Sequence, residues 1–97
     1  MGDQITTTDL YESAFYLLGG CELVAVEGLR VNGGITCRLT FQGKDIGRLQ
    51  LEYFNGGATV PLFPFRRAFG QVNALVYSAK KKARNQMRQA EAAGGAP

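Results

Sequence analysis

The chain has 97 residues, of which 45% are hydrophobic, and a formal net charge of +3. This composition predicts one folded domain with a modest core and excludes an intrinsically disordered chain. No apolar run approaches the roughly 20 residues that span a bilayer, and the first residues lack the basic-then-apolar order of a signal peptide. We therefore expect a cytoplasmic protein without a membrane segment.

The residue types also argue against catalysis. The chain has no histidine, so it lacks the commonest general base and the usual partner of a serine or cysteine nucleophile. Cys21 and Cys37 lie in separate apolar runs, which predicts buried free thiols and no structural zinc site. The glycine pairs are typical of turns, because none leads into the Lys-Ser/Thr of a phosphate-binding loop. The sequence predicts a protein that is not an enzyme and has no cofactor.

The first predicted element is a helix from Leu10 to Leu18. Thr8 or Asp9 can cap its N-terminus, and Asp9 with Glu12 three residues later resembles a capping box. Gly19-Gly20 supplies a left-handed stop.

Two apolar runs, Cys21–Glu27 and Ile35–Phe41, predict β-strands. The Asn32-Gly33 step between them is the strongest short signal for a hairpin. Alternation in the second run places one set of side chains on a covered face: Ile35, Cys37, Leu39 and Phe41. The opposite face is expected to be wet and carries Arg38, while Arg30 lies near the turn. Both arginines could contact phosphate, although an exposed arginine on a strand usually binds nothing.

A second, short helix is predicted to end at Phe54, and Asp45 can cap its N-terminus. Its shared apolar face consists of Ile46, Leu49 and Tyr53. Asn55-Gly56-Gly57 ends this helix, and the extended segment Ala58–Val60 is a candidate for a third short strand.

The last third of the chain, Pro61 to Ala93, predicts one long helix. Apolar and small residues recur there at steps of three or four: Phe65, Ala68, Phe69, Val72, Leu75, Val76, Ala79, Ala83, Met87 and Ala90. Such a helix would be about 45–50 Å long, whereas a compact domain of this size has a radius of gyration near ~13 Å. We therefore expect the distal half of the helix to project, fray or pack on another chain.

The predicted order is helix, strand, strand, helix and long helix. This is an α+β fold in which helices cover one face of a β-hairpin, because a two-stranded ribbon is marginal alone. We assign residues 1–5 to a flexible N-terminus, 6–79 to a single α+β domain, 80–93 to a basic helical extension and 94–97 to a disordered tail.

Charge is distributed unevenly along the chain. Residues 61–97 hold seven cations and one acid, a net +6, whereas residues 1–60 hold four cations and seven acids, a net −3. The candidate anion-binding residues are Lys80, Lys81, Lys82, Arg84 and Arg88, with Arg66, Arg67 and Arg38 as secondary candidates. Clustered cations neutralise phosphates and release counterions, so this pattern predicts binding of nucleic acid or a small nucleotide. The alternative is a solvated helix end whose cations match the helix dipole and bind nothing.

Aromatic residues and the long helix suggest further contacts. Five aromatic residues can line a pocket or stack on bases: Tyr11, Tyr16, Tyr53, Phe54 and Tyr77. Aromatic residues more commonly occupy positions in the core or at its rim. Membrane-surface binding is disfavoured, because the distal apolar positions are mostly alanine. A helix longer than its domain, with a small-residue stripe, commonly pairs with its symmetry mate, so we expect a homodimer.

Four segments form a recognisable pattern: Thr7-Thr8-Asp9-Leu10-Tyr11, Ala14-Phe15-Tyr16-Leu17-Leu18, Tyr53-Phe54-Asn55-Gly56 and Phe65…Phe69…Leu75-Val76-Tyr77. Over roughly residues 6–79 the chain resembles a family of small uncharacterised bacterial and phage domains. The resemblance implies a bacterial or phage setting and no particular activity. It motivates a second hypothesis, a phage counter-defence or regulatory protein that sequesters a nucleotide signal or blocks a host protein. A third hypothesis is a structural subunit of a larger assembly.

Overall fold

The computed structural model describes residues 3–94, and the side chains of residues 3–90. The elements in chain order are β1 (Asp3–Thr7), α1 (Leu10–Leu18), β2 (Glu22–Val31), β3 (Gly34–Gly43), α2 (Ile46–Phe54) and α3 (Leu62–Gly94). The strands form one antiparallel sheet in the order β1-β3-β2. This confirms the predicted α+β fold, with a long C-terminal helix packed against the sheet.

The third strand of the sheet lies at the N-terminus. The prediction of a flexible segment over residues 1–5 is wrong for residues 3–5, which belong to β1 and pair with β3, while residues 1 and 2 lie outside the described residues. Ile5 lies opposite Phe41 on the covered face. Residues 58–60, the candidate third strand, lie outside the sheet. Because β1 has only one apolar residue among five, its sequence gives little sign of a strand.

The hairpin follows the sequence closely. Asn32 and Gly33 have φ angles of 47° and 82°, which is the type I′ turn that matches the twist of antiparallel strands. The predicted covered face of β3 is confirmed, because Cys37, Leu39 and Phe41 are buried while Arg38 is exposed. Both cysteines are buried free thiols, as predicted.

Helix α1 has the predicted bounds and a partly different cap. The Asp9 carboxylate accepts hydrogen bonds from the backbone N–H groups of Tyr11 and Glu12, at 2.9 and 3.2 Å. The helix ends with Gly20 at a φ of 88°, as its sequence predicts. The capping box does not close, because the Asp9 N–H donates to the Thr7 hydroxyl instead, at 3.0 Å.

Glu12 turns inward and is only 3% exposed. Its Oε1 accepts a hydrogen bond from the Thr7 hydroxyl at 2.7 Å, and its Oε2 accepts one from the Tyr16 hydroxyl at 2.5 Å. The Tyr53 hydroxyl donates to Asp9 Oδ2 at 3.1 Å. A buried polar group is tolerated when it is hydrogen-bonded, so these contacts fasten β1, α1 and α2 together. We call these five residues the polar network.

Burial raises the pKa of both tyrosine hydroxyls in the polar network. It raises the pKa of Tyr16 far above its usual range, with the hydrogen bond to Glu12 adding to the effect. It raises the pKa of Tyr53 to about 12, and the hydrogen bond to Asp9 contributes in the same direction. Both phenols are therefore held neutral in the folded protein.

Helix α2 presents the predicted face to the core. Ile46 is fully buried, while Leu49 and Tyr53 are half-buried against the cluster. The predicted side-chain cap is wrong: Asp45 holds the N-cap position without bonding a backbone N–H. Its carboxylate lies instead 3.7 Å from Arg48, one turn along the helix.

The first half of α3 supplies its share of the core. Ala68, Val72 and Val76 are buried, and Phe69 stacks on Tyr11 with ring centroids 4.7 Å apart. Leu75, which the helical stripe includes, lies at the edge of the stripe and is exposed. Within residues 3–94 no helix combines the length and hydrophobicity needed to cross a membrane.

The distal half of α3, from Ala79 onward, lies along the hairpin. A Cβ atom built on Gly28 of β2 would lie 2.8 Å from the Ala83 Cβ and 3.6 Å from the Ala79 carbonyl oxygen. We predicted that this half projects, frays or packs on another chain. That prediction is wrong for Ala79 and Ala83, which pack on Gly28 of their own chain. The reason is the length of the hairpin: ten-residue strands extend about 33 Å. The molecule is accordingly elongated, with principal extents of 57 × 30 × 21 Å.

The contact at Gly28 predicts a stability difference between two glycine substitutions. We expect Gly28→Ala to lower the free energy of unfolding by about 1–3 kcal/mol, because the added methyl overpacks the helix–strand contact. Gly70→Ala is the matched control, since nothing lies within 4 Å of its Cβ position in α3. It should raise stability by about 0.5–1 kcal/mol through helix propensity. Urea unfolding measures both, and equal effects of the two substitutions would contradict the packing.

The polar network predicts a loss of stability at alkaline pH. The Tyr53 phenol has a pKa near 10 in the unfolded chain and about 12 in the folded protein. The contribution of the neutral phenol to the free energy of unfolding is therefore complete below pH 10 and is lost as the pH rises to 12. We expect the difference in unfolding free energy between wild type and Tyr53→Phe to shrink across this window. Urea titrations at a series of pH values measure it. A difference that stays constant with pH would show that Tyr53 is not held neutral by folding.

Candidate anion-binding cleft

A cleft of about 430 Å³ lies between the hairpin turn and the distal half of α3. Its lining residues come from both elements: Arg30, Gly33, Gly34, Ile35, Lys80, Arg84, Met87 and Arg88. Half of these residues are cations and none is an acid. We call this feature the basic cleft.

The two walls of the basic cleft are positioned by regular structure. Lys80, Arg84 and Arg88 follow one another at four-residue steps on α3, about 6 Å apart along the helix axis. Arg30 pairs with Ile35 across the hairpin and therefore lies on the sheet face that α3 covers. Since Gly28 lies two residues before Arg30 on the same face, the close contact at Gly28 brings the strand and helix cations together.

The cations of the cleft have no carboxylate partner among the described side chains. The ion pairs of residues 3–90 join Glu27 to Arg38, and Asp45 and Glu52 to Arg48. Arg30, Arg84 and Arg88 are exposed, while Lys80 is half-buried. Clustered charges of one sign raise the local concentration of ligands of the opposite sign. The cleft is thus suited to an anion.

Lys80 lies deepest among these cations. Burial raises the pKa of the Cys37 thiol, and the positive charge of Lys80 partly opposes that rise. Cys37 belongs to the core, where its thiol lies 3.7 Å from the carbonyl oxygen of Val76. Lys80 is thus the half-buried cation of the cleft on α3, whereas Arg84 and Arg88 are exposed.

The basic run of the sequence divides between two sides of α3. Lys81 lies with Tyr77, Arg84, Asn85 and Arg88 around a second depression, of about 260 Å³. We call this second feature the tyrosine depression. Arg84 and Arg88 border both it and the basic cleft.

Lys82 lies on the opposite flank of α3, where it lines a depression with Glu27 and Gly28. Of the five predicted extension cations, three therefore lie in the basic cleft, Lys81 lies beside it, and Lys82 lies apart from it.

The secondary candidates lie outside the cleft. Arg66 and Arg67 belong to the first turns of α3, at least about 20 Å along the helix axis from Lys80. Arg67 lies beside the C-terminal end of α1. The Arg38 guanidinium is 2.7 Å from the Glu27 carboxylate, on the sheet face turned away from the helices. That ion pair neutralises the positive charge that made Arg38 a candidate for anion binding.

Two residues of this region were not among the predicted site residues. Arg30 was considered only as an exposed arginine at the turn that could contact phosphate, although it lies on the same face of β2 as Gly28 and opposite Ile35 of β3. Tyr77 was noted only as one of four tyrosines that can line a pocket or stack on bases. The sequence signal for Arg30 is its position on the covered face two residues before an Asn-Gly turn. That signal is useful only once the helix is known to lie over the hairpin.

The small-residue stripe of α3 has an intramolecular use. Ala79 and Ala83 pack on Gly28 of their own chain rather than standing free for a symmetry mate. The homodimer stays a prediction, and the stripe over these two residues no longer argues for it.

No family model matches the chain, and no curated protein or solved structure is similar to it. The resemblance to small bacterial and phage domains accordingly stays a prediction.

Proposed function

We propose that this chain is a non-enzymatic binding protein whose ligand is nucleic acid, held in the basic cleft. The supporting observation is that Arg30 of the sheet meets Lys80, Arg84 and Arg88 of the helix around one cavity without an acid in its lining. A helix end that is basic only to match its dipole needs no cation from the facing strand. The convergence of two elements therefore favours a ligand over a solvated surface.

The physical basis of binding is the release of counterions from phosphates. If each of the four cleft cations neutralises one phosphate, the logarithm of the association constant should fall with the logarithm of salt concentration. The slope should be about −3 to −4. Backbone contacts of this kind give affinity and little sequence preference.

The first test compares two double variants of α3. Arg84→Ala/Arg88→Ala should weaken binding of a labelled oligonucleotide about tenfold or more at low salt and reduce the salt slope by about 2. Arg66→Ala/Arg67→Ala removes the same charge from the same helix outside the cleft and should have much less effect. Fluorescence polarisation at several salt concentrations measures both variants. An equal loss in the two would show that net charge alone binds, and no loss in either would overturn the proposal.

The second test compares two strand arginines. Arg30→Ala should weaken oligonucleotide binding severalfold, because it removes the sheet-side cation of the cleft. Arg38→Ala should leave binding unchanged within about twofold, because Glu27 already neutralises this guanidinium. The same polarisation assay applies. Greater sensitivity to Arg38→Ala would place the ligand on the open face of the sheet.

A second candidate function is sequestration of a small nucleotide. The cleft volume of about 430 Å³ falls within the size of small-molecule sites, roughly 300–1,000 Å³. Saturable binding of a nucleoside triphosphate in calorimetry, with weak salt dependence and no oligonucleotide binding, would favour this candidate. Blockade of a host protein and a structural role in a larger assembly stay predictions.

A further inference from the structure

Tyr77 is 67% exposed in the middle of α3. Among the described aromatic pairs, Phe69 stacks on Tyr11 and Tyr53 meets Phe15 and Phe54, whereas no ring packs on Tyr77. Its side chain therefore adds little to the core. An exposed ring without a partner is free to contact a ligand.

The surroundings of Tyr77 are basic. The tyrosine depression also contains Lys81, Arg84, Asn85 and Arg88, all on one flank of the helix at spacings of three or four residues. Helical rise places Tyr77 and Arg88 about 16 Å apart along the axis. Because Arg84 and Arg88 line both the basic cleft and the tyrosine depression, they form a ridge shared by the two features, and Tyr77 precedes Arg84 on the same flank by about two helical turns.

An exposed aromatic ring beside a cationic ridge favours single-stranded over double-stranded nucleic acid, because only a single strand has bases free to stack on the ring. Proteins that bind single strands combine a positive groove along the phosphates with aromatic side chains on which bases stack. A duplex keeps its bases paired and stacked inside, so it offers phosphates to the ridge and no free base to the ring. The Asn85 amide lies in the same depression and can donate to or accept from a base edge.

We infer that the ligand is a single strand whose phosphates cross the Arg84–Arg88 ridge and one of whose bases stacks on Tyr77. This inference rests on the proposed function and adds the class of nucleic acid. The sugar is not specified by these contacts, so a single strand of DNA or of RNA meets the same chemistry.

The test uses fluorescence polarisation to measure the affinity for four labelled nucleic acids of about twelve nucleotides. They are a thymidine strand, a uridine strand, an abasic strand and a duplex. Tyr77→Ala should weaken binding of at least one of the two base-bearing single strands fivefold or more. Tyr77→Phe, which keeps the ring, should stay within about twofold of wild type. Neither should alter binding of the abasic strand or the duplex. Phe63→Ala is the matched control, since Phe63 is 70% exposed on the same helix outside the depression, and it should change nothing.

Several outcomes would overturn the inference alone. These are an unchanged affinity of Tyr77→Ala for both base-bearing strands, a Tyr77→Phe variant as weak as Tyr77→Ala, or an equal loss on the abasic strand. The Arg84→Ala/Arg88→Ala variant separates this failure from that of the proposed function. If it loses affinity while Tyr77→Ala does not, the cleft binds phosphate and the base contact is wrong. If neither variant loses affinity, the nucleic-acid function itself is wrong. Thermal unfolding of each variant confirms that it is folded.

Discussion

The contact between α3 and Gly28 of β2 determines the shape of the molecule. Because Gly28 has no side chain, the helix approaches so closely that a Cβ atom at this position would collide with Ala83. Alanine keeps the facing side of the helix small as well, so the two backbones lie close together. The distal half of α3 consequently lies along the hairpin instead of leaving the domain. Its cations then face Arg30, which follows Gly28 on the same face of the strand. A bulkier residue at either position would separate the helix from the strand and open the basic cleft.

The opposite part of the fold is held by polar contacts. Glu12 is buried among hydrogen-bond donors from β1 and from its own helix, and Asp9 both caps α1 and accepts from Tyr53 of α2. Directional bonds of this kind fix how the elements meet, whereas apolar packing alone tolerates several arrangements. The polar network thus sets the position of α1, on which the first half of α3 packs through Phe69.

Ion pairs distinguish Arg38 and Arg48 from the cations of the cleft. Arg38 and Arg48 each lie beside a carboxylate, on a strand and on a helix respectively. The cations of the cleft lie on elements whose described neighbours there are glycine, isoleucine and methionine. An approaching polyanion therefore meets four cations around one cavity whose lining contains no acid. This local arrangement explains how a chain of modest net charge can present a concentrated patch of positive charge.

Local sequence determined α1, the hairpin, α2 and α3, because capping residues, an Asn-Gly turn and a 3.6-residue period act over a few neighbouring positions. It also identified three of the four cleft cations, since Lys80, Arg84 and Arg88 recur along one helix. Only the tertiary structure decided the place of β1, because its single apolar residue becomes informative when β3 lies beside it. It likewise decided that Arg30 lines the basic cleft and that Arg38 lies outside it. Those outcomes depend on which residues meet across elements. A one-dimensional pattern does not contain the close approach of a helix to a glycine about fifty residues earlier in the chain.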